Sequence, residues 1–286
     1  MSRIALLAGT GRLPSIWLKE AQRAGAEVVA YHLTAPEKIE LPETVARSGL
    51  AKPDLSAAEL VREVNPASLG ELLSQLEADD ISQAVMLGKI EKARLFQEQY
   101  FDAEMKKLLA SLPDWQDETI LKGFLKCLQE RGIELLPQDT FLDEVFFEPG
   151  WQVGPFIESP EDKLEQELKE GLKLAQKLAD FEVGQSLLLA SGTVLAVEAV
   201  EGTDAAIKRA GKLLAGSESA GLQLAKASRS RQDFRLDIPT VGPETLETFK
   251  AAGGDNLVLE ARGVLVLEKE RFLELAAELK LGVLAI

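Results

Sequence analysis

The chain is 286 residues long, with 32 basic against 47 acidic side chains, a net charge of −15, 46% hydrophobic and 28% charged residues. That length accommodates a full core in two domains, and the composition is ordinary for a soluble globular protein. The acidic balance excludes a general nucleic-acid binder, which needs clustered Lys and Arg, yet leaves room for one phosphorylated small molecule held by local donors or a metal.

The first half alternates strand and helix patterns. Ile4 to Ala8 is a continuous apolar run ending in Gly9-Thr10-Gly11, too short for a signal peptide. Leu13 to Ala24 has helical spacing closed by Gly25, and Glu27 to Leu33 reads as the second strand. The single histidine, His32, ends that strand and reads as a packing residue, so a His-ligated zinc or a Ser-His-Asp triad is not expected. A polar loop follows, then a helix over 68–76, and a buried strand over 83–87 stopped by Gly88-Lys89. A helix over 119–131 contains the one cysteine, Cys127, as core filler, which rules out an internal disulfide. A short strand over 133–136 completes a Rossmann-like α/β domain over 1–148, mostly parallel with helices on both faces. No segment reaches the ~18 apolar residues of a membrane span, so a cytoplasmic protein is expected.

Two Pro-Gly breakers mark a joint over 149–160, and Ser159-Pro160-Glu161-Asp162 carries the signs of a helix start. The domain over 161–286 has a different texture. Ser191-Gly192 joins two apolar runs as a hairpin, and 203–214 is a helix. A strand over 222–225 and a helix over 243–251 follow. A second hairpin is expected over 256–267 around Arg262-Gly263, then a helix over 268–279 and a last strand from Gly282. This predicts a mixed α/β domain.

Four segments could carry chemistry. Gly9-Thr10-Gly11-Arg12 joins a buried strand to a helix, where backbone N–H groups and the helix end favour an anion, although a bare tight turn explains it as well. Pro14 and the Tyr31-His32 strand end depart from a dinucleotide fingerprint. Gly88-Lys89 lies at the carboxyl end of a parallel strand, where open sheets bind ligands. Glu198, Glu201 and Asp204 put three acids around Gly202-Thr203; a divalent cation, a sugar hydroxyl or Arg235 would relieve that charge, while Thr203 or Asp204 could equally cap the helix. Finally, Gln232-Asp233-Phe234-Arg235-Leu236-Asp237 alternates charges; if extended, it aims Asp233, Arg235 and Asp237 at one face, either for a metal and an anionic oxygen or as a salt-bridged surface strand.

Taken with Val183-Gly184-Gln185-Ser186, the Val194–Gly211 string and the Gln-Asp-x-Arg-x-Asp-x-Pro run, these segments resemble the metal-dependent UDP-2,3-diacylglucosamine pyrophosphatases of bacterial lipid A synthesis. The resemblance covers nearly the whole chain. Its pattern usually has Lys-Pro-x before Gln-Asp, where this chain has Ser228-Arg229-Ser230-Arg231. It implies two domains with the lipid nucleotide bound between them, and hydrolysis to UMP and 2,3-diacylglucosamine 1-phosphate with Mg²⁺ or Mn²⁺. Asp233 matches the essential aspartate, with Asp233 and Asp237 as metal ligands. Gly9 to Arg12, Gly88, Lys89, Gln185, Glu201 to Asp204, Gln232 and Arg235 are the expected substrate contacts. Transient contact with the inner membrane surface and a homodimer are expectations about partners. The rival readings are a non-catalytic sugar-nucleotide-binding or regulatory protein, and a nucleotide-sugar transferase.

Overall fold

The computed structural model describes residues 3–34, 52–89, 101–142, 144–156, 161–199, 201–215 and 221–286. Two compact units emerge: Met1–Leu142 with Phe234–Leu236, and Asp143–Asp233 with Asp237–Ile286. Among the described residues, no helix is long and apolar enough to cross a membrane.

The first unit runs β1 (Ile4–Ala8), α1 (Leu13–Arg23), β2 (Val28–Leu33), β3 (Leu60–Val64), α2 (Leu69–Ala78), β4 (Gln83–Leu87), α3 (Ala103–Ser111), α4 (Asp117–Gln129) and β5 (Glu134–Leu135). Its sheet has the order β3-β2-β1-β4-β5 with every pair parallel, as the strand-helix alternation predicts. Leu7, Tyr31 and Met86 pack with Leu72, Met105 and Leu128 of α2, α3 and α4. Trp17 and Leu18 of α1, which lies on β1 and β2, are buried outside that cluster, as helices on both faces require. Cys127 packs at the rim of the core, where burial raises its pKa; burial likewise lowers that of His32.

Strand β3 has no counterpart in the sequence reading. It is an edge strand whose Leu60 and Val61 are exposed, so no inward alternation marks it. A polar brace holds it instead. Arg62 donates from Nε (2.6 Å) and Nη2 (2.5 Å) to the two oxygens of Asp79, at the end of α2, and the Tyr31 hydroxyl donates to Asp79 Oδ2 (2.6 Å). The Arg62 hydrogen bonds, against the opposing effect of burial, hold the Asp79 carboxyl below its ordinary pKa.

Gln138 organises the late segment that belongs to this unit. Its backbone N–H donates to the Phe234 carbonyl (2.8 Å), and its amide Nε2 donates to the carbonyls of Met86 (2.7 Å) and Leu236 (3.2 Å).

The second unit runs β6 (Gly150–Val153), α5 (Glu161–Asp180), β7 (Ser186–Ala190), β8 (Thr193–Val197), α6 (Thr203–Leu214), β9 (Leu222–Lys226), β10 (Thr240–Val241), α7 (Pro243–Ala251), β11 (Gly254–Leu259), β12 (Leu265–Val266), α8 (Lys269–Glu278) and β13 (Gly282–Ala285). Six strands lie in the order β6-β13-β11-β9-β7-β8. The central β13, β11 and β9 are parallel, while β6, β7 and β8 pair antiparallel. Leu164, Leu168, Leu172 and Ala175 form the buried stripe of α5 against Leu187 and Leu189. The alternate residue Leu188 meets Ile207, Phe249 and Phe272 of α6, α7 and α8 in a separate core.

Two expectations change here. The segment over 256–267 is not a hairpin: β11 pairs in parallel with β9 and β13, and β12 pairs in parallel with β10. Leu257, Val258 and Leu259 are all buried, the continuous run of a central parallel strand rather than the alternation of a hairpin. The stretch read as a joint contributes β6, because Gly150 to Val153 pairs with the edge of β13. The helix-start signal at Ser159-Pro160 lies outside the described residues.

Candidate functional site

In the first unit, the strand order reverses between β1 and β4, the crevice where open α/β sheets take ligands. The loops leaving these two strands are stitched to each other. Thr10 N–H donates to the Lys89 carbonyl and Lys89 N–H to the Thr10 carbonyl, both at 2.9 Å, and the Thr10 hydroxyl donates to the same Lys89 oxygen at 2.9 Å. A Cβ on Gly9 would stand 2.7 Å from the Lys89 oxygen, and one on Gly88 2.7 Å from the Thr10 oxygen, so this crossing admits only glycine. Gly11 has φ +104° with open space around it, and Arg12 is the residue before the first turn of α1. The structure thus brings Gly9 to Arg12 together with Gly88 and Lys89. Lys89 is exposed.

Gln185, Glu201 to Asp204, Gln232, Asp233 and Asp237 lie at or beyond one end of the second unit's sheet, where β7 begins and β8, β9 and β11 end, while Arg235 falls in the Phe234–Leu236 segment of the first unit. Lys226, the last residue of β9, and Ser186, the first of β7, are register partners and both are buried. Lys226 Nζ donates to Ser186 Oγ (2.9 Å) and Thr203 Oγ1 (3.0 Å) and lies 3.5 Å from Glu198 Oε2. Thr203, the first residue of α6, donates to Glu198 Oε1 (2.8 Å). Burial opposes the charge on Glu198, but the Lys226 ammonium and the surrounding hydrogen bonds outweigh it and lower its pKa.

Beyond β9 the chain enters a loop fastened at several points. Glu260 Oε2 accepts from the N–H and hydroxyl of Ser228, both at 2.6 Å. Asp180 accepts from the N–H (2.7 Å) and hydroxyl (2.6 Å) of Ser230. Gln232 accepts from Arg229 N–H (3.1 Å) and donates to the Asp237 carbonyl (2.7 Å), while Gln185 Nε2 donates to Asp237 Oδ2 (3.3 Å).

The expected extended run over 233–237 is instead a turn. Asp237 N–H donates to the Asp233 carbonyl at 3.3 Å, closing one helical turn across Phe234–Leu236. The turn ties the backbone of Asp237 to that of Asp233 and replaces the straight alternation on which a shared face of Asp233, Arg235 and Asp237 rested. The cause is a contact distant in sequence: Leu236 is buried, and Gln138 takes the carbonyls of Phe234 and Leu236 that a strand would have offered to a neighbour.

The acids before α6 do not act as one cluster. Glu198 turns in to Lys226, and Glu201 pairs with Arg209 Nη2 at 2.7 Å. Lys226 and Arg209 of this unit thus relieve the charge on Glu198 and Glu201. Gly202 precedes α6 with φ +85°, Thr203 commits its hydroxyl to the interior, and Asp204 is exposed in the first turn. Among the described residues no group of three or more His, Cys, Asp or Glu could hold a metal ion. Sequence reasoning missed Lys226, Ser186, Glu260 and Gln138. The one available signal was Lys226, a lone charge within the apolar run Leu222–Ala227.

The chain matches the family profile of the LpxI N-terminal domain over residues 3–145 and that of the LpxI C-terminal domain over residues 154–284. It is 27% identical over 293 aligned positions to the UDP-2,3-diacylglucosamine pyrophosphatase LpxI of Caulobacter vibrioides, covering 100% of this chain and 98% of that protein. Among solved structures, glycinamide-RNase-transformylase T from Mycobacterium tuberculosis overlaps 69% of this chain and 44% of its own, at 14% identity. Its TM-score of 0.22 carries no argument.

Proposed function

Because this chain belongs to the LpxI family, both of whose domain profiles it matches, we propose that it hydrolyses the pyrophosphate of UDP-2,3-diacylglucosamine to UMP and 2,3-diacylglucosamine 1-phosphate. The observation that carries this reading is the end-to-end match to a relative of that name. The site chemistry supports it. Asp233 and Asp237 share a backbone turn, and Gln185 and Gln232 hold the carboxylate and the carbonyl of Asp237 in the loop beyond β9.

Magnesium fits this donor set in one form. Mg²⁺ is commonly held by one or two carboxylates together with substrate phosphates, rather than by an all-protein cage. Asp233 and Asp237 would hold it, and when bound it would supply Lewis-acid polarisation of phosphate oxygens and a more acidic water. Asp233 orients the attacking water, and Arg235 offsets charge on the departing phosphate. In the first unit, the backbone of Gly9 to Arg12 and the Lys89 ammonium offer donors to an anionic group. The same reading has the protein make transient contact with the inner membrane surface, from its cytoplasmic side, to meet a substrate that carries two acyl chains.

Phosphorus NMR of the full chain incubated with the lipid nucleotide and Mg²⁺ tests this. UMP and the acylated sugar 1-phosphate are the expected products. Binding without turnover would make the chain a sugar-nucleotide receptor, and UDP released only with an added acceptor would make it a transferase.

A further inference from the structure

We propose that Lys226 is a positioning residue which, through Ser186, Thr203 and Glu198, sets the root of the loop bearing Asp233 and Asp237; this rests on the hydrolase reading above.

A lysine is almost never fully buried without a partner, and a buried ion pair in a strand position is seldom better for stability than a packed apolar side chain. Lys226 nevertheless sits buried at the end of β9, in a strand otherwise made of Leu222, Gln223, Leu224 and Ala225. Its three polar partners come from three separate places: Ser186 from the start of β7, Glu198 from beyond the end of β8, and Thr203 from the first turn of α6. One ammonium group therefore fastens the ends of four elements at one sheet edge.

The link onward is short. Ser186 and Lys226 form the last side-chain rung of the β7–β9 pair. The next rung is made by neighbouring residues, with Ala227 N–H donating to the Gln185 carbonyl at 3.0 Å. The Gln185 side chain then reaches Asp237 Oδ2 at 3.3 Å. Farther out, Glu260 and Asp180 hold the loop at Ser228 and Ser230. Lys226 governs the inner end, where the direction in which the chain leaves the sheet is decided. Tilting that exit moves both aspartates, and catalytic groups tolerate displacements well below 1 Å.

The test uses the full chain. Lys226→Met combined with Glu198→Gln removes both charges and leaves no buried ion unpaired. We expect near-wild-type melting temperature and KM, a kcat lower by about ten- to a hundredfold, and faster amide exchange over 228–237. Should that variant fail to fold, Thr203→Val and Thr203→Ser carry the test. Valine keeps the shape and loses the hydroxyl, so kcat should fall and the serine variant should restore it. A folded double variant with wild-type kcat and wild-type exchange over 228–237 overturns the proposal. So does a Thr203→Val variant that raises KM at unchanged kcat, because its hydroxyl would then serve substrate directly. If the wild-type chain releases no UMP, the hydrolase reading is what fails, and exchange over 228–237 alone decides whether Lys226 sets the loop.

Discussion

Asp233 and Asp237 stand four residues apart and share one hydrogen-bonded turn, with the Asp237 carboxylate already accepting from Gln185. Asp233 is the residue assigned to water, so Asp233→Ala should lower kcat by on the order of a thousandfold with KM little changed. Steady-state kinetics beside a thermal melt check this; near-wild-type turnover, or unfolding, would return the turn to a structural role. Gly11 supports a second expectation. Its φ of +104° lies where a β-branched residue is strained by about 1–3 kcal/mol, while the open space around it means no clash is involved. Gly11→Val should fold and raise KM, and an unchanged KM would mark the loop as scaffold. At this scale the sequence marked the aspartates and the glycines as candidates, because Gln-Asp and Gly-x-Gly are local. It could not show Lys226 meeting Glu198 or Gln138 meeting Leu236, since those pairs are made by strand register and chain return.

Elements followed the sequence where a single face sets the pattern. The helical spacing of α1 and the turn at Ser191-Gly192, where both residues have positive φ, were legible from pattern and composition. Strand β3 was not, because an exposed edge with Arg62 and Glu63 carries no alternation, and its brace depends on Asp79 seventeen positions later. β11 was misread because a fully buried strand and one arm of a hairpin look alike until partners are known. The brace has a pH signature. The folded-state pKa of Asp79 is lowered, so its stabilisation is complete above the ordinary carboxylate range near 4 and is lost as pH falls through the folded value. Asp79→Asn should cost about 1–3 kcal/mol at neutral pH, and the gap to wild type should close on acidification. Denaturant melts at neutral and acidic pH measure that gap, and a constant gap would mean the carboxylate charge contributes nothing.

For the whole molecule, family membership and the two α/β units were readable from one sequence, since glycine-marked strand ends and strand-helix alternation extend along most of it. The assignment of Phe234–Leu236 to the first unit was not readable, because nothing local marks a segment that packs with residues about a hundred positions earlier. The central claim is hydrolysis of the lipid nucleotide by a carboxylate pair that works with a divalent cation. The most direct measurement is UMP release from UDP-2,3-diacylglucosamine by the purified full chain, metal-stripped, and then resupplied with Mg²⁺ or Mn²⁺. The account predicts no release in excess chelator and recovery of turnover on adding either ion. Full turnover in a chain confirmed to be metal-free, or no UMP with either ion, would contradict it.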